Sequence, residues 1–227
     1  MRLFEDSRFD VTVFPNVFKE LLLKEITTIG NSFKLNGDSF AATLLVSIAV
    51  DTHLRILLGW GDGWFLTKRK SGLIEVDGIT FDSNAPYYPF YDLLPEANEG
   101  YDLSYGLSLF RKCHYKLKDN SIIESVEIES KNYSQCSFFK YYFEFDQVED
   151  PITQIVTTSD GLCSYKYDTK EDKRDINMMT LIPDFIVYPN PVGNFIQRRM
   201  GNRIKRVHKE EGIIHWDDIS FAGINLT

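Results

Sequence analysis

The chain predicts an α+β fold in which antiparallel β-sheets form a sandwich, with helices flanking it and concentrated late in the sequence. Three observations carry this expectation. Strand-like apolar runs follow one another from Ala41 to Val76 with only short polar turns between them, the pattern of an antiparallel meander. Aromatic residues make up 14% of the chain, with 17 Phe and 12 Tyr, and such side chains pack well on pleated surfaces. Helical spacing is found before this run and again after Ile176, so helices and strands are segregated rather than alternating.

Each element has its own reason. Between Val17 and Ile29, Phe18, Leu21, Leu22, Glu25 and Ile26 fit a helix, with Asn16 after Pro15 as its N-cap and Gly30-Asn31 as its stop. Ala41–Val50 reads as a buried strand, Asp51-Thr52 as a turn, and His53–Trp60 as a second strand. Gly61-Asp62-Gly63 interrupts before Trp64–Thr67, and Lys68–Gly72 is a polar hairpin turn leading to Leu73–Val76. Two prolines and three tyrosines make Asn84–Leu94 an ordered loop. Ile122–Ile128, Ser137–Phe145 and the β-branched run Ile152–Thr158 are strands, and charged Lys166–Asp175 is a solvated loop. Ile176–Val187 and Val192–Lys209 look helical, and Ile219–Leu226 is a final strand.

The 227 residues fit one domain, 1–227, large enough to bury a core without disulfides or structural metals. Hydrophobic residues at 43% and charged residues at 26% are ordinary for a soluble globular chain. A net charge of −8 argues against nucleic acid as the main partner, because a phosphate backbone selects basic surfaces. Cys113, Cys136 and Cys163 lack Cys-x-x-Cys spacing and are odd in number, so the expectation is packed thiols in a reducing compartment. No apolar run reaches membrane-spanning length, and Met1-Arg2-Leu3-Phe4-Glu5-Asp6 is too acidic for a signal peptide. A cytoplasmic protein without a membrane partner is expected.

Three acidic motifs sit where an apolar strand meets a turn: Gly61-Asp62-Gly63, Ser159-Asp160-Gly161 and Trp216-Asp217-Asp218-Ile219-Ser220. Such junctions hold carboxylates fixed, and Mg²⁺ or Mn²⁺ prefers a few carboxylates plus water. Together Asp62, Asp160 and Asp217 point to metal-assisted hydrolysis. Each also has an ordinary reading, since a Gly-flanked Asp closes hairpins and Asp160 can close its own turn.

The order of these motifs resembles the metal-dependent protein phosphatases of the 2C type, the PPM family. Ala41-Ala42-Thr43-Leu44-Leu45-Val46 is similar to that family's Gly-Ser-Thr-Ala strand, and Gly61-Asp62-Gly63 to its Gly-Asp-Ser/Gly turn. Ser159-Asp160-Gly161-Leu162 resembles its Ser-Asp-Gly motif, and Asp217-Asp218-Ile219-Ser220 its closing Asp-Asn/Asp-x-Ser/Thr motif. Asn84-Ala85-Pro86-Tyr87-Tyr88 resembles a loop of bacterial members, and the likeness spans Asp38 to the C-terminus. The resemblance implies a phosphatase 2C-like αββα fold that hydrolyses phosphoserine or phosphothreonine in a phosphorylated protein. It implies a Mg²⁺ or Mn²⁺ cofactor, with Asp160 and Asp217 on a first metal and Asp62 joining Asp160 on a weaker third.

In the family an Asp-Gly motif near the N-terminus bridges two metals. Asp6, Asp10 and Asp38 are the only early aspartates here, and none is followed by Gly after an apolar strand. The resemblance therefore implies a domain shortened at its N-terminus, either truncated or degenerate. A non-catalytic phosphatase-like module is then the alternative function, and an unrelated β-rich interaction protein a third. Sheets lacking their first strands have edges to cover, so a homo-oligomer is among the expectations.

His215, two residues before Asp217, has the chemistry of a general acid but reads first as a packed or solvated strand residue. Asp218 reads as a donor-satisfying neighbour of Asp217. The basic run Arg198–Arg206 reads as a solvated helix face, with attraction of a phosphorylated partner as its alternative. Trp60, Trp64 and Trp216 read as core beside the acidic motifs, with an aromatic wall for substrate as the minor alternative.

Overall fold

In a computed structural model, residues 13–49, 54–83, 85–105, 110–130, 139–144, 149–169, 173–188 and 192–226 are described. They fall into two units. One comprises Met1–Gly61, Phe81–Arg111 and Glu129–Phe145, the other Asp62–Thr80, Lys112–Ile128 and Asp146–Thr227.

In the first unit, helix α1 spans Phe14–Phe33, longer at both ends than the spacing predicts. Pro15 sits in the first turn, where its missing N–H is no loss, so Asn16 lies inside the helix rather than capping it. Gly30 does not stop the helix; its bare Cα packs against the Phe40 ring, and the chain turns out only at Lys34, with φ 54 and ψ 40. Strands β1 (Leu44–Ala49) and β2 (Leu54–Trp60) pair antiparallel from Leu44↔Trp60 to Ala49↔Arg55, and β7 (Phe139–Glu144) pairs with the other edge of β2. Asp51-Thr52 lies outside the described residues.

The Pro/Tyr segment is ordered as expected, but it contains the short helix α2 (Pro89–Leu93) and leads into α3 (Pro95–Tyr105). Hydrogen bonds and an ion pair order it. Asp92 accepts the Trp60 indole N–H at 2.7 Å and pairs with Lys19 at 2.9 Å, while the Tyr101 hydroxyl donates to the Ala85 carbonyl at 2.7 Å.

The second unit is built on a six-stranded antiparallel sheet in the order β11-β8-β3-β4-β5-β6. Its strands are β3 (Gly63–Arg69), β4 (Ile74–Phe81), β5 (Phe110–Lys118), β6 (Ser121–Ser130), β8 (Ile152–Thr158) and β11 (Phe221–Asn225). The β3–β4 hairpin turns at Gly72, whose φ of 86 suits a residue without Cβ. Asp150 clamps that turn, accepting both the amide and hydroxyl of Ser71 at 2.7 Å.

Side-chain alternation sorts this sheet into two faces. Trp64, Leu66, Ile74, Val76 and Val156 join a core with α4 (Ile182–Ile186) and α5 (Phe195–Glu210). Full burial of each such side chain is worth about 1.5–3 kcal/mol, so this cluster dominates the unit's stability. The alternate residues include buried polar groups: Arg69 pairs with Glu75 at 3.1 Å, and Asp77 meets His114 Nδ1 at 2.7 Å.

Two further expectations need correction. Ile176–Val187 is not one helix. Pro183 sits in the first turn of α4 and bars its extension backwards, and Asn177 caps a separate 3₁₀ turn at Met178–Thr180 by accepting the Met179 N–H at 3.0 Å. Lys166–Asp175 is not wholly loop, because β9 (Tyr165–Tyr167) pairs antiparallel with β10 (Ile213–His215). Cys113 is buried, Cys163 lies at the surface with its sulfur part-buried against Met178, and Cys136 lies outside the described residues. Among the described residues no helix is long and apolar enough to cross a membrane. The architecture is mixed α+β.

Candidate functional site

Strand β8 ends at Thr158, and the register shows where its neighbours end. Thr158 pairs with Trp64 on β3 and with Phe221 on β11. Asp160 lies two residues beyond Thr158, Asp62 two before Trp64, and Asp217 four before Phe221. All three carboxylates therefore leave the sheet at the same end, on three adjacent strands.

The local backbone explains each position. Gly61 and Gly63 flank Asp62 with φ of 89 and 143, conformations that favour glycine, so the turn requires both glycines. Asp62 is left 9% exposed. Asp160 opens a 3₁₀ turn, Asp160–Ser164, closed by the Ser164 hydroxyl donating to the Gly161 carbonyl at 2.7 Å.

Ser159 ties the two acidic segments together. Its amide donates to the Ser220 carbonyl at 3.2 Å, its hydroxyl donates to the Asp218 carbonyl at 3.2 Å, and the same oxygen accepts the Ser220 N–H at 3.0 Å. Gly161 allows this contact. A Cβ there would stand 2.3 Å from the Asp218 carbonyl oxygen. Asp217 is fixed from two sides: its Oδ1 accepts the Asp218 N–H at 2.8 Å, and its carbonyl accepts His215 Nδ1–H at 3.0 Å. That bond places the His215 proton on Nδ1.

The electrostatics follow from this packing. Burial holds the Asp160 carboxyl above the usual carboxylate range, and the negative charge of Asp217 pushes it the same way. The amides of Asp160 and Gly161 pull it back. Nearby, the Cys163 thiol, part-buried against the Met178 sulfur at 3.2 Å, is pushed up to about 11 by desolvation and, further, by the charges of Asp160 and Asp62. One thiol thus feels both carboxylates. The end of the sheet is a pocket of negative potential with partly desolvated acids, a setting that a divalent cation stabilises.

The charge of Asp217 reaches Asp160, and Asp62 is buried at the same end of the sheet. Among the described residues no group of three or more His, Cys, Asp or Glu side chains stands ready to hold an ion. A pair still fits a hard cation, since Mg²⁺ is commonly held by one or two carboxylates with water completing its shell. Asp38 lies in a 3₁₀ turn, Gly37–Phe40, of the first unit, while Asp6 and Asp10 lie outside the described residues.

Trp216 does not join the core. It is 69% exposed beside Asp217, whereas Trp60 and Trp64 are buried as expected. Sequence reading passed over the Ser159 latch and the His215–Asp217 bond. A Ser preceding Asp-Gly and a His-x-Asp spacing at a strand end were their only signals. Comparison of the chain with protein-family models, curated proteins and solved structures finds no match.

Proposed function

We propose that this chain is a metal-dependent phosphatase of the PPM type, acting on phosphoserine or phosphothreonine in proteins. Asp160 and Asp217 hold the primary Mg²⁺ or Mn²⁺, and Asp62 supports a weaker ion. The observation that supports this most is the charge coupling of Asp160 and Asp217 across two strand ends latched by Ser159. When bound, such an ion lowers the pKa of coordinated water and neutralises charge on phosphoryl oxygens. The chain's own residues supply the fixed geometry. His215 positions the Asp217 backbone, Ser159 holds the Asp217-Asp218 segment against β8, and exposed Trp216 offers an apolar wall to a bound substrate.

Mn²⁺-stimulated hydrolysis of p-nitrophenyl phosphate tests the reading, together with Asp160→Ala and Asp217→Ala. Loss of hydrolysis in both variants is expected. Wild type should also gain about 5 °C or more in Tm at Mn²⁺ a hundredfold above its Kd, because binding there adds ~2.7 kcal/mol. Equal activity in wild type and both variants removes the proposal.

A second reading, a phosphatase-like module that binds without turnover, is favoured by the site itself, where Asp160 and Asp217 have no third grouped ligand among the described residues. It predicts the Mn²⁺-dependent Tm shift without hydrolysis.

A further inference from the structure

Two sulfur atoms meet at the surface of the second unit. The Cys163 thiol donates to the Met178 thioether sulfur across 3.2 Å. Each sulfur is carried by its own short 3₁₀ turn. Asp160–Ser164 is closed by the Ser164 hydroxyl, and Met178–Thr180 is capped by Asn177 and closed by the Thr180 hydroxyl donating to the Asn177 carbonyl at 2.8 Å. The pair is therefore held by ordered backbone on both sides. Met178 is 8% exposed, whereas Cys163 opens to solvent, so a small ion reaches the sulfurs from the Cys163 side.

A second observation points to the same place. The Trp64 indole N–H, on a side chain only 4% exposed, makes no hydrogen bond of ordinary geometry. It is aimed at the Cys163 sulfur, where it favours the thiolate. A buried donor without a partner costs free energy, and a thiolate would satisfy it. Desolvation, and after it the charges of Asp160 and Asp62, keep the proton on sulfur instead. The same carboxylates that oppose a bare thiolate attract a cation, so a thiolate neutralised by a metal ion escapes that opposition.

We propose that Cys163 and Met178 form a binding site for a soft monovalent metal ion of the Cu(I) class. Thiolate and thioether sulfurs select such ions, while Mg²⁺ and Mn²⁺ take oxygen ligands. The ion replaces the proton that the two sulfurs share. The Cys163 S–H bond breaks, a sulfur–metal bond forms, H⁺ leaves to solvent, and the net charge of the site is unchanged. With metal–sulfur bonds of ~2.3 Å, sulfurs at their present separation bridge the ion at a bent angle, and the unbranched Met178 side chain has the rotational freedom to open it. The site is separate from the Asp160 and Asp217 carboxylates and does not rest on the phosphatase reading.

Titration calorimetry with Ag⁺ in chloride-free buffer tests the assignment, since Ag⁺ is an air-stable ion of the same class. Wild type should take up one more equivalent than Cys163→Ser, whatever Cys113 and Cys136 bind separately. Met178→Leu conserves side-chain volume and should leave Tm near that of wild type. It should nevertheless weaken the Cys163-dependent equivalent about tenfold or more. Cu(I) added without oxygen should compete for that equivalent, and excess Mn²⁺ should not. Equal stoichiometry in wild type and Cys163→Ser would overturn the proposal. So would undiminished affinity in Met178→Leu, which would show a thiol acting alone. Displacement by Mn²⁺ would overturn it too, by placing the ion on the carboxylates.

Discussion

Gly161→Ala tests whether the two acidic segments work as one unit. The added Cβ would stand 2.3 Å from the Asp218 carbonyl oxygen, 2.9 Å from its carbonyl carbon and 3.0 Å from Ile219 Cγ1. Favourable contact begins at ~3.5 Å, so the 218 backbone must retreat by about 1 Å. Two of these three atoms are backbone, and no rotamer change relieves them. Overpacking of this kind costs about 1–3 kcal/mol, and a rigid opposing backbone puts this site at the upper end. For a chain of this size that is a fall in Tm of roughly 4–10 °C by differential scanning calorimetry.

The same retreat stretches the Ser159–Asp218 bond of 3.2 Å and carries Asp217 away from Asp160. The Asp160 carboxyl should then move down toward its ordinary range, visible in ¹³C-detected NMR titration of the side chain. If the pair holds a cation, a misplacement of about 1 Å costs on the order of a hundredfold in metal-dependent turnover. An alanine variant with wild-type Tm and an unchanged Asp160 titration would refute the claim that Gly161 is required by close approach.

Gly201 makes the opposite case: it lies within α5 and a Cβ there meets nothing within 4 Å. Gly201→Ala should therefore raise stability by about 0.5–1 kcal/mol, read from the midpoint of urea unfolding. Glu75→Gln leaves the buried Arg69 guanidinium without its carboxylate and should cost about 3–5 kcal/mol in the same assay, with the double variant Arg69→Met/Glu75→Leu recovering most of it. His114 is held above 6.5, first by its hydrogen bond to Asp77 and also by the charges of Asp77 and Glu75, against burial and Lys116. Its contribution is full below about pH 6.5 and fades as pH rises through the folded-state value. The Tm difference between wild type and His114→Gln should accordingly be larger at about pH 6 than at about pH 9, and a pH-independent difference would show the pair to be uncharged.

The readable parts of this sequence were those in which one physical signal acts alone. Ile152–Thr158 was predicted to the residue because a β-branched run bounded by Pro151 and Ser159 has one fate. α1 runs past its expected bounds at both ends because Pro15 and Gly30 each have two. Proline starts helices as well as precedes them, and glycine survives in a helix where a ring needs the space. α3, β5 and β10 carry mixed polar and apolar residues whose periodicity is weak, and the Asp119-Asn120 turn that joins β5 to β6, with φ of 51 and 61, is a hairpin signal that passed unread. At the site, the strand-end positions of Asp62, Asp160 and Asp217 were legible, since each follows from a turn beside a strand. Their common end of the sheet was expected only through the family resemblance, because from the residues alone it depends on the pairing order β11-β8-β3.

That order also explains why the acids are tolerated. A strand interior would bury each carboxylate among the side chains of Trp64, Leu66 and Val156, where an unpaired charge costs several kcal/mol. One turn past the strand, amides are free to face the charge: Asp217 takes the Asp218 N–H, and Asp160 is supported by its own and the Gly161 amide. The sheet thus carries the carboxylates to the edge of its core and stops where backbone donors become available. It sets Asp160 where burial, and after it the charge of Asp217, raise the pKa of its carboxyl. A cation bound there would offset both effects.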